Sequence, residues 1–137
     1  MTREDFFKAY SEIVNTALSF AERARREGLL TLDDDIDRKK EEERDIFHFG
    51  LRFVVDGTDQ EIINKILTNI IEQEKDGYSL MLKKIQKEAV LCIQNGFNPR
   101  LMYYLLNSYT DISIKEDGVF AEDEPEPDTD APHEAYV

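Results

Sequence analysis

The chain has one cysteine among its 137 residues and no run of 18 apolar residues. Cys92 therefore has no partner for an internal disulfide, and its apolar-periodic segment is one where a free thiol packs as a small hydrophobe. The N-terminal sequence MTREDFFKAYSE has acids where a signal peptide has a basic and then an apolar segment. We expect a protein of a reducing, cytoplasmic compartment that is neither exported nor membrane-spanning by itself.

Basic residues are also scarce, because 17 Lys and Arg stand against 30 Asp and Glu, for a formal net charge of −13. Residues 111–137 hold ten of the acids and only one base, which leaves a mildly charged body. Nucleic acids and anionic lipids both bind clustered Lys and Arg, so we exclude nucleic acid as a partner. The sequence predicts one domain, residues 1–110, followed by a disordered acidic tail, residues 111–137.

The spacing of apolar residues predicts an all-α fold, a compact bundle of about five helices. A 3.6-residue apolar period predicts a first helix over Thr2–Glu27, with Gly28 as its left-handed cap. The stretch LLTL is interpreted as a connection or a single extended stretch, and DDDIDRKKEEERD as a charged linker. IFHFGLRFVV, residues 46–55, lacks strand-like alternation and predicts a buried helix.

Capping signals mark where the second predicted helix ends and the third begins. Gly57 follows the apolar run, and TDQE has the form of a capping box. In that arrangement Thr58 caps a backbone amide and Glu61 reaches back to the cap. We expect the third helix to begin there.

Two further turn signals lie in the second half of the chain. Lys75-Asp76-Gly77 either reverses the chain or places a costly glycine inside one long helix. In CIQNGFNPR, Gly96 is placed just after a helix end, Asn98 as an N-cap, and Pro99 at a first helical position, where a missing amide costs nothing. A last helix follows.

Residues that could carry chemistry are few. The acids of DDDID, residues 33–37, occupy alternate calcium-loop positions, but Arg38 and Arg44 stand where that loop needs Gly and Glu. His48 and His133 lie in different segments and form no pair of ligands, and no nucleophile has an evident base and orienting group. We predict no metal, no cofactor and no enzymatic activity.

The stretch RARREGLLTLDDDID, residues 23–37, changes from basic to acidic around Gly28. Its arginines, Arg23, Arg25 and Arg26, lie at the end of the first predicted helix, where the helix dipole favours positive charge. The aspartates are equally well explained as a solvated run. Composition alone leaves a binding surface and a solvated helix end equally open.

Three stretches, in order, resemble the cytoplasmic parts of MotA-type flagellar stator subunits: AERARREGLLTLDDDID, GLRFVVDGTDQEIINKIL and IQNGFNPRLMYYLLNSY. That family has two transmembrane helices before the first stretch and two between the second and third. Here a polar amphipathic helix and the residues around 75–78 stand in those places, so ion conduction is not expected. The resemblance also implies antiparallel helices around Gly77, which favours a helical hairpin.

The resemblance implies a cytoplasmic surface that contacts the rotor through opposite charges on either side of Gly28. Arg25 and Asp33 match those positions, with Asp33 where the family usually has Glu; Arg23 and Arg26 adjoin them, and Asp34 to Asp37 are expected to be an ordinary solvated run. The expected function, in motility and chemotaxis, is that of a soluble, cytoplasmic protein at the inner-membrane motor. It would bind the rotor switch complex or the stator's cytoplasmic ring.

Two further hypotheses remain open. The chain could be a self-associating structural scaffold, a homo-oligomer with Phe6, Phe7 and Tyr10 at its interface instead of in the core. The acidic tail could also compete with a partner for the arginines at the end of the first helix, since it carries most of the net negative charge.

Overall fold

A computed structural model describes residues 1–40 and 44–110, and within these ranges it contains six α-helices and no strand. The helices are α1 (Arg3–Glu27), α2 (Asp33–Arg38), α3 (Ile46–Val55), α4 (Gln60–Ile71), α5 (Gly77–Asn95) and α6 (Pro99–Asn107). A 3-10 turn, Leu29–Leu32, joins α1 to α2. The all-α prediction is confirmed, with one helix more than expected, and the predicted disordered tail lies outside the described residues.

The core lies between α1, α3 and α5, and α4 and α6 pack on α5. One stripe of α1 is buried at intervals of three or four residues: Phe6, Tyr10, Val14, Ala17 and Ala21. The Tyr10 hydroxyl donates a hydrogen bond to Asn107 Oδ1 of α6 at 2.9 Å. Phe6 and Tyr10 are therefore core residues. They are not available as the interface that the scaffold hypothesis assigns to them.

Helix α3 is a buried helix, as its sequence predicts. His48 is 7% exposed, and its Nδ1 lies 2.7 Å from Asp45 Oδ1. Burial alone would raise the pKa of Asp45, but hydrogen bonds from the His48 side chain and backbone hold that pKa below its usual value. His48 is therefore a satisfied core histidine whose partner also caps the helix.

The turn between α3 and α4 differs from the predicted capping box. Gly57 has φ +84°, and the Gly57 and Thr58 amides donate to the carbonyls of Val54 and Phe53 in a Schellman motif. Thr58 is thus used to close α3, the N-cap of α4 is Asp59, and no side chain caps that helix. The capping-box prediction for Thr58 and Glu61 is wrong because the Thr58 amide closes α3, so α4 begins one residue later than the box requires.

The chain reverses between α4 and α5, which confirms the predicted hairpin. Helix α4 ends at Ile71 and α5 begins at Gly77, with the Asp76 side chain as its N-cap. Lys83 of α5 bonds Glu74, three residues past the end of α4, at 2.7 Å, and Lys87, further along α5, bonds Thr68, further back in α4, at 2.9 Å. The two helices are therefore antiparallel.

The turn between α5 and α6 also has the predicted form. Gly96 is left-handed at φ +74°, and the amides of Gly96 and Phe97 close the end of α5. Asn98 Oδ1 accepts a hydrogen bond from the Leu101 amide at 2.8 Å, and Pro99 is the first residue of α6. All three residues take the roles that their spacing predicts.

Candidate protein-binding surface at the end of helix α1

Residues 23–38, which we call the corner, comprise the end of α1, the 3-10 turn and α2. Gly28 turns the chain with φ +99° and ψ 157°, a conformation that only glycine adopts readily. Because this ψ is extended and not left-handed, the prediction of a left-handed cap is wrong in detail. The Thr31 hydroxyl donates to the Gly28 carbonyl at 2.7 Å and fixes the turn that follows.

The first six residues of the predicted charged linker, residues 33–38, form a short helix. Leu32 and Ile36 are both 0% exposed, so one side of α2 is anchored in the core. Three aspartates, Asp33, Asp34 and Asp35, lie in the first turn, where the helix dipole favours negative charge. Two apolar residues four positions apart are too few to show helical periodicity. The high charge of the stretch therefore favoured a linker as the prediction.

Arg23 ties α1 to α2. Its guanidinium pairs with Asp35, which also pairs with Arg38 within α2. The Arg23 guanidinium also lies 5.3 Å from the centre of the Phe20 ring. The Asp35 side chain is only 18% exposed. Asp35 is therefore a structural ion-pair partner, and the expectation of an ordinary solvated run is wrong at this position.

Arg52 of α3, which the sequence reasoning missed, holds the other side of α2. It donates hydrogen bonds to Asp33 and, at 3.1 Å, to Asp37, and it pairs with Asp56, the C-cap of its own helix, at 3.6 Å. The hydrogen bond to Asp33 raises the pKa of Arg52 above its usual value. The sequence feature that could have identified Arg52 is an arginine inside an otherwise apolar helix, four residues before an aspartate.

Arg25 does not pair with Asp33, although the resemblance assigns the two to one surface. Its Nη1 donates instead to the Gly96 carbonyl at 2.8 Å, at the turn between α5 and α6. Arg25 therefore connects the corner to a turn 71 residues further along the chain.

The three stretches that resemble MotA-type subunits meet at this corner. Although each is separate in sequence, each pair of stretches is joined by at least one hydrogen bond. The bonds are Arg52 to Asp33, Arg25 to the Gly96 carbonyl, and Gln94 to the Thr58 carbonyl. Hydrogen bonds thus tie these residues, which are distant in the chain, to one another around the corner.

Arg26 is accessible to a partner. Its side chain is 58% exposed and pairs with neighbours on α1, Glu22 at 3.2 Å and Glu27 at 3.6 Å. Leu30, in the 3-10 turn, is 73% exposed, the most exposed large apolar side chain of the described residues. Asp34, also exposed, follows in the first turn of α2.

Residues 1–40 and 44–110 contain neither a metal-binding cluster nor a membrane-spanning helix. Within these ranges no three His, Cys, Asp or Glu side chains come together in a way that could hold a metal ion. None of the helices in the same ranges combines the length and the apolar character that crossing a membrane requires.

The chain is similar to two curated proteins, and no family model matches it. It is 34% identical over 68 residues to Motility protein A of Borreliella burgdorferi, covering 50% of this chain and 25% of that protein. It is 34% identical over 80 residues to Motility protein A of Treponema phagedenis, covering 58% and 30%. The chain matches about a quarter to a third of the length of these relatives. The MotA-like relationship that the three stretches indicate is thereby supported.

Proposed function

We propose that the chain is a flagellar-motor-associated protein that binds a motor component through the corner and does not itself conduct ions. The observation that carries this proposal is the meeting of the three stretches at one surface. Similarity to Motility protein A supports the motor as the place where that surface acts. A surface braced before binding loses little conformational entropy when a partner arrives.

The residues of the corner divide into two groups. Arg23, Arg25 and Asp33 are held by partners within the fold, so they set the position of the turn. Arg26 and Leu30, together with Asp34, face solvent and would contact the partner. An apolar anchor surrounded by charges is a common arrangement in protein interfaces, where the charges supply steering and register.

The partner surface follows from these contacts. It would offer an apolar pocket for Leu30, an acid opposite Arg26 and a base opposite Asp34. The rotor switch protein and the stator subunits are the two candidates that the resemblance suggests.

A binding role without ion conduction fits the elements that replace the family's membrane helices. Ten of the 25 residues of α1 are charged. Only residues 72–76 separate α4 from α5. The ion pathway of the family is built from helices in those two places, so we propose that this chain retains the contact surface alone.

The test is to measure, by surface plasmon resonance, the affinity of the protein for the rotor switch protein and for the stator cytoplasmic loop. The double reversal Arg26→Glu, Asp34→Lys changes accessible charges and leaves the ion pairs of Arg23 and Arg52 in place, although it removes the surface pairs of Arg26 with Glu22 and Glu27. We expect it to weaken binding to one partner at least tenfold, about 1.4 kcal/mol.

A matched control exchanges charges elsewhere on α1: Lys8→Glu with Glu12→Lys, both exposed positions. This variant should bind like the wild type. If neither partner binds the wild-type protein, or if both variants bind equally well, the proposal is wrong.

A further inference from the structure

An open groove of about 660 Å³ lies at the end of the bundle away from the corner. There α1 begins, α5 begins and α6 ends. Its lining includes Arg3, Phe6, Phe7, Tyr78, Met81 and Tyr109. Phe7 in the groove and Arg23 in the corner are 16 residues apart on α1, so about 24 Å of helix separates the two sites.

Aromatic rings form the walls of the groove. Phe6 stacks on Tyr78 with ring centres 5.0 Å apart and meets Phe7 edge-on at 5.5 Å. Tyr78 remains 37% exposed. The Arg3 guanidinium lies 4.4 Å from the centre of the Phe7 ring and gives the rim a positive charge. Apolar walls with a few polar groups at the rim are typical of a site that binds an apolar segment.

The chain itself supplies a candidate occupant. Thr110, the last described residue, lines this groove, so residue 111 begins at its rim. The next ten residues, DISIKEDGVF, contain apolar residues at positions 112, 114, 119 and 120, before the strongly acidic sequence EDEPEPDTDAP. Ten residues span up to about 33 Å, which is enough to cross the groove.

We propose that residues 111–120 dock in this groove, with Ile114 and Phe120 against its aromatic walls. The acids at positions 116 and 117 would lie near the positive rim formed by Arg3. Asp76 also lines the groove, but its carboxylate accepts a hydrogen bond from the Ser79 amide and so is used in capping α5. This proposal does not depend on the proposed function.

The full chain is suited to a fluorescence test because it contains no tryptophan. Phe120→Trp places the reporter in the docking segment, and Ala131→Trp places it further along the tail as the control. If docking is favoured about tenfold over the free segment, acrylamide quenches the Phe120→Trp reporter less than the Ala131→Trp reporter by about that factor. Equal quenching of the two reporters would overturn the proposal.

Second substitutions in the Phe120→Trp protein identify the docking surface. Tyr78→Glu should restore full quenching, whereas Tyr104→Glu, at a comparably exposed tyrosine outside the groove, should not. Circular dichroism establishes that both variants keep their helix content. Quenching that rises with Arg26→Glu instead of Tyr78→Glu would place the segment at the corner and overturn docking in the groove.

Discussion

Gly50 of α3 has no space for a side chain. An added Cβ would lie 2.9 Å from Val90 Cγ2 of α5 and 3.0 Å from Leu67 Cδ1 of α4. Both neighbours are fully buried and cannot move aside. We expect Gly50→Ala to lower the free energy of unfolding by about 1 to 3 kcal/mol, the usual cost of overpacking, as measured by urea denaturation.

Gly77→Ala is the matched control for this substitution. Gly77 is the first residue of α5, its φ is not positive, and nothing lies within 4 Å of an added Cβ. Alanine there should leave stability unchanged or raise it by up to about 1 kcal/mol, because it restricts the unfolded chain. A Gly50→Ala protein as stable as the wild type would mean that α3, α4 and α5 do not approach as closely as described.

Single residues also show which part of the site could be predicted. The motif around Gly28 located the corner and identified its charged residues. It did not reveal what they contact, because Arg25 bonds a carbonyl 71 positions away and Asp33 bonds Arg52 on another helix. Such partners are set by how helices pack, which local spacing does not encode.

At the scale of elements, helix caps distinguish a correct prediction from an incorrect one. Asn98 caps α6 through its side chain, whereas no side chain caps α4 next to Thr58. We expect Asn98→Ala to cost about 1 kcal/mol of stability and Thr58→Ala to stay within about 0.5 kcal/mol, both by urea denaturation. A larger loss from Thr58→Ala would restore the capping box that the sequence suggested.

Arg52 is the residue that attaches α2 to α3. We expect Arg52→Met to loosen α2, seen as faster amide hydrogen exchange in residues 33–38, because Asp33 and Asp37 lose their shared partner. The loss of global stability should be about 1 kcal/mol, since these pairs are only partly buried.

Arg38→Met is the control for the attachment of α2. Arg38 is 75% exposed and pairs only within its own helix, with Asp35, among the ion pairs of the described residues. Its removal should leave hydrogen exchange in α2 close to that of the wild type. Similar exchange in both variants would show that Arg52 does not hold α2 in place.

The length of an element decided how well its sequence predicted it. Helix α1 repeats its apolar stripe over six turns and was predicted to within one residue at its start, with its end at Glu27. Helix α2 has six residues and one buried side chain, Ile36, so only its packing against α3 and the 3-10 turn defines it. Short elements of this kind depend on tertiary contacts that a single sequence does not display.

At the scale of the whole molecule, three groups that resist deprotonation lie where α1, α5 and α6 meet. Burial, reinforced by the Glu88 charge, raises the pKa of Cys92 from 9.0 to about 12. Burial raises the pKa of Tyr10 to about 12, against a smaller opposing effect of its hydrogen bond with Thr110. Burial and the hydrogen bond to Glu88 raise the pKa of Tyr109 as well. The stability of the fold therefore depends on pH in the alkaline range, through groups at one junction of helices.

The sign of this coupling follows from which state holds the protons. Between the usual pKa of each group and its raised value, the folded protein keeps a proton that the unfolded chain has released. Stability is thus complete below about pH 9 and falls as the pH rises toward 12. We expect the urea midpoint to fall steadily over this range at constant ionic strength.

Cys92→Ala separates the thiol from the two tyrosines. As the pH rises, Cys92 is the first of the three groups to lose its proton in the unfolded chain, because its usual pKa of 9.0 lies below the tyrosine value of 10.0. The variant is less stable at neutral pH through lost packing, but its urea midpoint should fall less between about pH 8 and pH 10 than that of the wild type. Parallel curves for the two proteins over that interval would show that the Cys92 thiol ionises as readily in the fold as in the unfolded chain. The junction of α1, α5 and α6 would then admit water and would not be closed around the Cys92 thiol.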